Sequence, residues 1–156
     1  AALFYLFTYA FMNIGAFAIV IALEQAHEDD ALRNRAAGIA QRWPLLALAM
    51  GLFMFSLSGM PPMAGFFGKF FVFKAAVDGG WTWLAAIGMI NSAIGVYYYL
   101  RVIVAMYFEE PTAESAPDRR MWPALRAGLV ITAALTVVIG LYPSPWMGLF
   151  RTTFGG

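Results

Sequence analysis

The sequence predicts an all-α integral membrane protein with four transmembrane helices, of which the second is discontinuous. Three observations lead to this fold class. Hydrophobic residues make up 62% of the 156-residue chain and charged residues only 12%, whereas soluble domains carry about 25% charged residues. The hydrophobic residues gather in four long blocks. Adjacent prolines, Pro61 and Pro62, interrupt the second block.

Three of the four blocks have the length of a single membrane helix. They cover about residues 1–23, 81–107 and 127–149, and a helix needs roughly 20 apolar residues to cross a hydrocarbon core about 30 Å thick. The first block has no basic segment before it and no small-residue cleavage site after it, so it is predicted to be a span rather than a signal peptide. Because the chain opens at Ala1 inside this block, we expect a longer protein.

The second block, residues 44–77, is too long and too irregular for one plain helix. Two prolines between Gly59 and Gly65 are expected to unwind it near 59–65, because proline lacks a backbone donor and clashes with the preceding turn. We predict half-helices of roughly 44–58 and 66–77, joined at membrane depth, where freed backbone groups must face protein or a wet cavity. The alternative is two separate elements that meet at an interfacial loop. We favour the broken span, since each half is too short to cross.

Arginine placement predicts the orientation. The loops 24–42 and 109–126 each hold three arginines, whereas the turn 78–80 holds none. By the positive-inside rule both loops are cytoplasmic, and the two ends of the chain and the turn 78–80 lie outside. Tryptophans stand near the predicted span ends, as an aromatic belt requires. They are Trp43, Trp81, Trp83, Trp122 and Trp146.

Lys69 is the strongest candidate for a functional residue. An ionised lysine at the centre of a membrane helix costs about +2.5 to +3.5 kcal/mol, and such residues often mark an ion or proton path. Since burial disfavours the charged form, a buried lysine can load and release a proton. The alternative is a lysine that snorkels to the interface. Lys69 is nine residues from Asp78, or about 13 Å along a helix, which is deep for snorkelling.

Lys74 is a second and weaker candidate. It precedes Asp78 by four residues, a spacing that allows an ion pair on one helix face. It also lies near the outer end of its block, so an anchoring role is favoured over a relay of protons. Arg101, near the inner end of the third block, is expected to be a snorkelling anchor.

Uncharged polar residues within the spans leave two interpretations open. In the first span they can share one face, where they line a hydrated path or bond a neighbouring helix. Those residues are Tyr5, Thr8, Tyr9 and Asn13. The third span offers a similar choice at Asn91, Ser92 and the run of tyrosines 97–99. The fourth offers only Thr132 and Thr136, and its expected role is structural.

Several classes of function are excluded or disfavoured. The sequence has no cysteine and a single histidine, His27, so it offers no thiolate site and no histidine cluster for a metal. A net charge of +1 gives no sign of nucleic-acid binding. No nucleotide loop, catalytic triad or carboxylate pair lies in the spans. If the protein belongs to an enzyme, the redox chemistry is elsewhere.

Three stretches carry a family resemblance. The run SGMPPMAGFFGK at 58–69 resembles the broken-helix motif of the antiporter-like subunits of respiratory complex I, the NADH-quinone oxidoreductases. The runs NSAIGVYYYLR at 91–101 and YLFTYAFMNIGAF at 5–17 resemble the subunit N branch in particular. The likeness covers most of the chain and weakens in 109–125 and in the tail.

The resemblance implies a proton-translocating membrane subunit built of two inverted five-helix repeats with discontinuous helices. This chain would hold the C-terminal part, namely an incomplete second repeat and a final helix. Lys69 matches the lysine of the broken helix. Subunit M usually has glutamate there, and L-type relatives carry histidine and lysine where this chain has Tyr9 and Asn13, so the branch implied is N.

The resemblance also implies the surroundings. No cofactor is expected in this chain, and FMN, iron–sulfur clusters and quinone are expected in other subunits. The expected partners are the lipid bilayer and other membrane-arm subunits, especially subunits M and K, in the inner (plasma) membrane of a cell. An Mrp-type cation/proton antiporter subunit is the alternative function, and a purely structural helix bundle is the third.

Overall fold

The computed structural model describes residues 2–24, 36–111 and 123–154, with the side chains of Glu24 and of residues 150–154 left aside. Every regular element within these ranges is a helix. In chain order the helices are α1 (Ala2–Glu24), α2 (Ile39–Arg42), α3 (Pro44–Ser58), α4 (Ala64–Asp78), α5 (Thr82–Phe108), α6 (Pro123–Leu141) and α7 (Pro143–Phe154). The all-α class predicted from the composition is therefore confirmed for the described part of the chain.

Helices α1, α5 and α6 are long and apolar enough to cross a membrane. Their qualifying stretches are Ala2–Leu23, Thr82–Phe108 and Pro123–Leu141, with mean hydropathies of 2.0, 1.4 and 2.1. Helix α3 is apolar but shorter. The arginine-rich segments that predicted the orientation lie mostly outside the described residues, as do His27 and Trp122, because 25–35 and 112–122 are not described.

Helix α1 is the centre of the bundle. It packs against α3, α4, α6 and α7, whereas α5 lies across both α3 and α4. Close approach of α1 to α3 depends on Gly15, because a Cβ built there would lie 2.2 Å from the Cζ atom of Phe53. Phe53 is fully buried in the main apolar core, which also contains Met12, Ile19 and Met106.

Residues 59–63 form a short non-helical link between α3 and α4. Gly59 adopts φ +87°, a left-handed conformation that favours glycine, and the Pro61–Pro62 peptide bond is cis. One side of the link packs against α6, where a Cβ at Gly140 would lie 2.7 Å from the carbonyl oxygen of Pro62. The other side is exposed at Met60, Pro61 and Pro62, and the two prolines there have no N–H to leave unsatisfied.

The end of the chain differs from the sequence expectation. A single helix was expected over about 127–149, but α6 ends at Leu141 and α7 begins at Pro143. The cause is proline: Pro143 disfavours the α conformation at Tyr142 and provides no N–H to continue the helix. Helix α6 also begins earlier than expected, so Arg126 lies within the helix rather than in the preceding loop.

Candidate functional site

Lys69 reaches from α4 to the end of α3. Its side chain is half-buried. The Nζ atom donates hydrogen bonds to the carbonyl oxygens of Leu57, at 2.9 Å, and Ser58, at 3.3 Å. The side chain of Lys69 therefore connects α4 to the end of α3 across the link 59–63.

The link itself leaves these two carbonyls available. The last four carbonyls of any α-helix lack partners in their own helix. At the end of α3, the N–H of Met60 bonds to the carbonyl of Phe55 and the N–H of Gly59 to the carbonyl of Ser56, which is the Schellman pattern that a left-handed glycine permits. The two carbonyls that this pattern does not use are those of Leu57 and Ser58, and both accept from Lys69.

The end of α3 is also an electrostatic partner for a cation. The C-terminus of a helix carries roughly half an elementary negative charge, and a cation there is stabilised. Within the described residues no ion pair joins Lys69 to a carboxylate, whereas Lys74 on the same helix pairs with Asp78. The ammonium of Lys69 is thus held by backbone dipoles rather than by an opposite formal charge.

Small residues bring the lysine to this position. A Cβ at Gly59 would lie 3.2 Å from Cδ of Lys69, so the aliphatic part of the lysine runs along that glycine. One residue before Lys69, a Cβ at Gly68 would lie 3.1 Å from both Thr8 Oγ1 and the ring of Tyr5. Helix α4 therefore lies tightly against α1 at the level of the lysine.

Comparison with known proteins gives a consistent result. The family described as NADH:quinone oxidoreductase/Mrp antiporter, transmembrane region, matches residues 1–95. The chain belongs to this family. It is similar to the NADH-quinone oxidoreductase subunit N of Chloroflexus aggregans, at 48% identity over 96% of this chain and 30% of that protein. The similarity to subunit N of Trichlorobacter lovleyi is 49% over 91% of this chain and 29% of that protein.

A solved structure shows the same likeness. A chain of respiratory complex I from Thermus thermophilus with bound aureothin matches with a TM-score of 0.77 and 35% identity, over 90% of this chain and 32% of that one. The resemblance drawn from the three sequence stretches is confirmed. This chain spans about 30% of the length of the relatives that it matches, and like them it is a multi-pass membrane protein.

The weaker charged candidates of this family member lie at the surface. Nζ of Lys74 lies 2.7 Å from Oδ2 of Asp78, and the two side chains are 57% and 62% exposed. The ion pair that their spacing allows is therefore formed, at the far end of α4 from the link. Arg101 is exposed on α5.

The polar residues of α1 bond mainly within their own helix. Thr8 is buried and its hydroxyl donates to the carbonyl of Tyr5, while Asn13 donates to the carbonyl of Tyr9. The rings of Tyr5 and Tyr9 stack with centroids 5.6 Å apart, and Tyr99 of α5 is a partly buried residue that packs against the main apolar core. Of the polar residues that the sequence suggested for a hydrated path, the structure thus brings together the two phenols of α1.

The remaining polar residues take separate positions. Asn91, Tyr97 and Tyr98 are exposed on α5. Thr132 and Thr136 are buried, and their hydroxyls donate to the carbonyls of Gly128 and Thr132 in their own helix. Bonds of this kind satisfy a buried hydroxyl locally, as expected for a structural role of α6. The described residues contain no cluster of three or more His, Asp or Glu side chains that could hold a metal ion.

Sequence reasoning missed the partners of Lys69. They are backbone carbonyls, which no residue type identifies. A signal was nevertheless present: a helix that ends at a Gly-x-Pro-Pro sequence must leave carbonyls without partners, and a lysine eleven residues after Ser58 is a donor without a carboxylate nearby. Ser56, which contacts both α1 and α4, was also missed.

Proposed function

We propose that this chain is part of a proton-translocating membrane subunit of an NADH-quinone oxidoreductase, and that Lys69 carries the proton. The observation that carries the proposal is the position of the Lys69 ammonium on two carbonyls at the end of α3. The subunit N relatives support the assignment to this type of complex. Their greater length means that the chain would act as one part of the whole subunit.

In this proposal α3 and α4 form a single discontinuous span. Each helix has 15 residues, or about 22 Å at 1.5 Å per residue, which is short of a hydrocarbon core of about 30 Å. Joined through 59–63 they are long enough to cross once. With α1, α5 and α6 the chain then crosses four times, and the link and Lys69 lie within the membrane.

The chemistry proposed for Lys69 is reversible loss of one proton. The ammonium is stabilised by the carbonyls of Leu57 and Ser58, whereas the neutral amine loses the attraction to the helix end. A change of charge elsewhere in the complex can therefore shift the lysine between the two forms. The proton leaves to one side of the membrane and is replaced from the other, so that each cycle moves one proton past the link.

Redox chemistry is placed in other subunits. Iron–sulfur clusters are held mainly by cysteine thiolates, and this sequence has no cysteine. We propose that FMN, the clusters and quinone bind elsewhere in the complex. We also propose that subunits M and K are neighbours in the membrane arm, within the inner (plasma) membrane.

Lys74, paired with Asp78 and exposed, is assigned an anchoring role with at most a minor part in proton transfer.

The direct test is Lys69→Ala in the full complex. Proton pumping into membrane vesicles and NADH oxidation are measured together. We expect proton pumping to fall by at least tenfold, while NADH oxidation either falls with it or continues without pumping. Lys74→Ala is the matched control on the same helix and is expected to keep most of both activities. Unchanged pumping in Lys69→Ala would remove Lys69 from the mechanism.

The second candidate function is a subunit of an Mrp-type cation/proton antiporter. It has support because the family that matches the chain includes those antiporters as well as the oxidoreductases. Purification of the full-length protein from its membrane distinguishes the two. Iron–sulfur subunits in the same particle favour the oxidoreductase, and a particle that exchanges sodium for protons without them favours the antiporter.

A further inference from the structure

We infer that Ser56 is the positioning residue for Lys69, because its hydroxyl fixes the first turn of α4 onto the last turn of α3. The inference rests on the proposed function of Lys69 and adds a residue to it. Ser56 lies three residues before the break, and its side chain is fully buried, with 0% exposure. A buried hydroxyl normally has hydrogen-bond partners, and both partners of this one lie in other helices.

The first partner is the N–H of Gly65, the second residue of α4. It donates to Oγ of Ser56 at 3.2 Å. The first four N–H groups of a helix have no partner within the helix, and the N-cap residue of α4, Met63, makes no side-chain capping bond. Ser56 therefore supplies from α3 the capping bond that a serine at the N-cap would normally supply from the same chain segment.

The second partner is Sδ of Met12 in α1. The hydroxyl of Ser56 donates to it across 2.8 Å, and Met12 is 1% exposed. Because the single hydroxyl proton is directed at Met12, the lone pairs of Oγ are free to accept from Gly65. One side chain thus links α1, α3 and α4 at the same point.

This junction lies next to the lysine. A Cβ at Gly65 would lie 1.8 Å from the carbonyl oxygen of Ser56, so the two backbones touch there. Lys69 follows Gly65 by four residues and shares its helix face, and the lysine bonds to the carbonyls of Leu57 and Ser58, the residues that follow Ser56. A shift of α4 at Gly65 would therefore move the ammonium relative to its acceptors.

The two contacts across the break differ in one respect. The bonds of Lys69 to the carbonyls weaken when the lysine loses its proton, because the attraction of a cation to the helix end is lost, whereas the bond between Ser56 and Gly65 involves no titratable group. The serine can keep α3 and α4 in register throughout a cycle in which Lys69 loses and regains its proton. Its removal should therefore alter how Lys69 exchanges protons, in addition to any loss of stability.

The test uses Ser56→Ala in the full complex, with Thr136→Val as the matched control. The control also removes a buried hydroxyl, but one that bonds only within its own helix. For Ser56→Ala we expect at least a twofold lower ratio of protons pumped per NADH oxidised, and a shift of at least half a unit in the pH profile of pumping. For Thr136→Val we expect the wild-type ratio and profile. In a Lys69→Ala background, Ser56→Ala should cause no further change in the ratio.

A purely structural serine gives a different result. Ser56→Ala would then lower only the amount of assembled complex, with an unchanged ratio and pH profile, and the inference would be overturned. If the alanine variant does not assemble, Ser56→Cys replaces it, since a thiol keeps a weak donor and acceptor; the same criteria then apply to a smaller change. If the Lys69→Ala complex pumps normally, the proposed function of Lys69 is wrong. If the Lys69→Ala complex loses pumping but the Ser56→Ala complex has the wild-type ratio and pH profile, only the role of Ser56 is wrong.

Discussion

Replacement of Gly59 by alanine perturbs the site of Lys69 in two ways that can be separated. Gly59 has φ +87°, and an L-residue in the left-handed region costs about 1–2 kcal/mol. The new Cβ would also lie 3.2 Å from Cδ and 3.6 Å from Nζ of Lys69. The first effect lowers stability by a factor of about 5–30 in the folding equilibrium, and the second displaces the lysine.

Gly80→Ala is the control that separates the two effects. Gly80 has φ +80°, nearly the same strain, but a Cβ there meets no atom within 4 Å. The assay measures the amount of assembled complex and the ratio of protons pumped per NADH oxidised in membrane vesicles. Both variants should lower the amount of complex by a similar factor. Only Gly59→Ala should also lower the pumping ratio, by at least twofold.

Two results would refute this reasoning. A wild-type pumping ratio in assembled Gly59→Ala complex would mean that the contact between Gly59 and the lysine side chain has no functional consequence. An equal loss of the ratio in Gly80→Ala would mean that backbone strain anywhere in the chain is enough, and that the position of Lys69 is not the cause.

Two further predictions concern α4. Gly65→Ala would place a Cβ 1.8 Å from the carbonyl oxygen of Ser56, and because that contact is with backbone, the variant should destabilise the subunit by about 1–3 kcal/mol. Gly128→Ala is the control, since a Cβ there meets nothing within 4 Å, and it should leave the stability nearly unchanged. Thermal unfolding of the assembled complex measures both. Lys74→Ala removes an exposed i,i+4 ion pair with Asp78, which is worth about 0.3–0.5 kcal/mol, so a change in melting temperature above a few degrees would contradict its assignment as an anchor.

The helices were largely predictable because their causes are local. Long apolar runs, uncharged in the first block and interrupted only by Arg101 in the third, predicted α1 and α5 to within a residue or two of Ala2–Glu24 and Thr82–Phe108. The glycine at 59 and the prolines after it predicted the end of α3 at Ser58. Helix α4 starts at Ala64, two residues earlier than predicted, because the five residues 59–63 are enough to connect the left-handed Gly59 to the first turn of α4.

The site was predictable only in part. Lys69 stands out by hydropathy, because a charge in a membrane segment is costly wherever its partners are. Its acceptors and Ser56 do not stand out, because backbone carbonyls are present in every helix and small hydroxyls in most of them, and they acquire a role only when two chain segments meet. The prediction of one helix over 127–149 was wrong because the apolar block continues past Tyr142, whereas Pro143 ends the helix whatever the hydropathy.

The central claim is that Lys69 releases and regains a proton, and Lys69→Arg tests it most directly. Arginine keeps the positive charge and the hydrogen-bond donors that the carbonyls of Leu57 and Ser58 accept, but it does not deprotonate in proteins. If Lys69 carries the proton, the assembled Lys69→Arg complex should pump at least tenfold fewer protons per NADH oxidised than wild type. A wild-type ratio in that complex would show that a fixed cation is sufficient at this position, and would contradict the account.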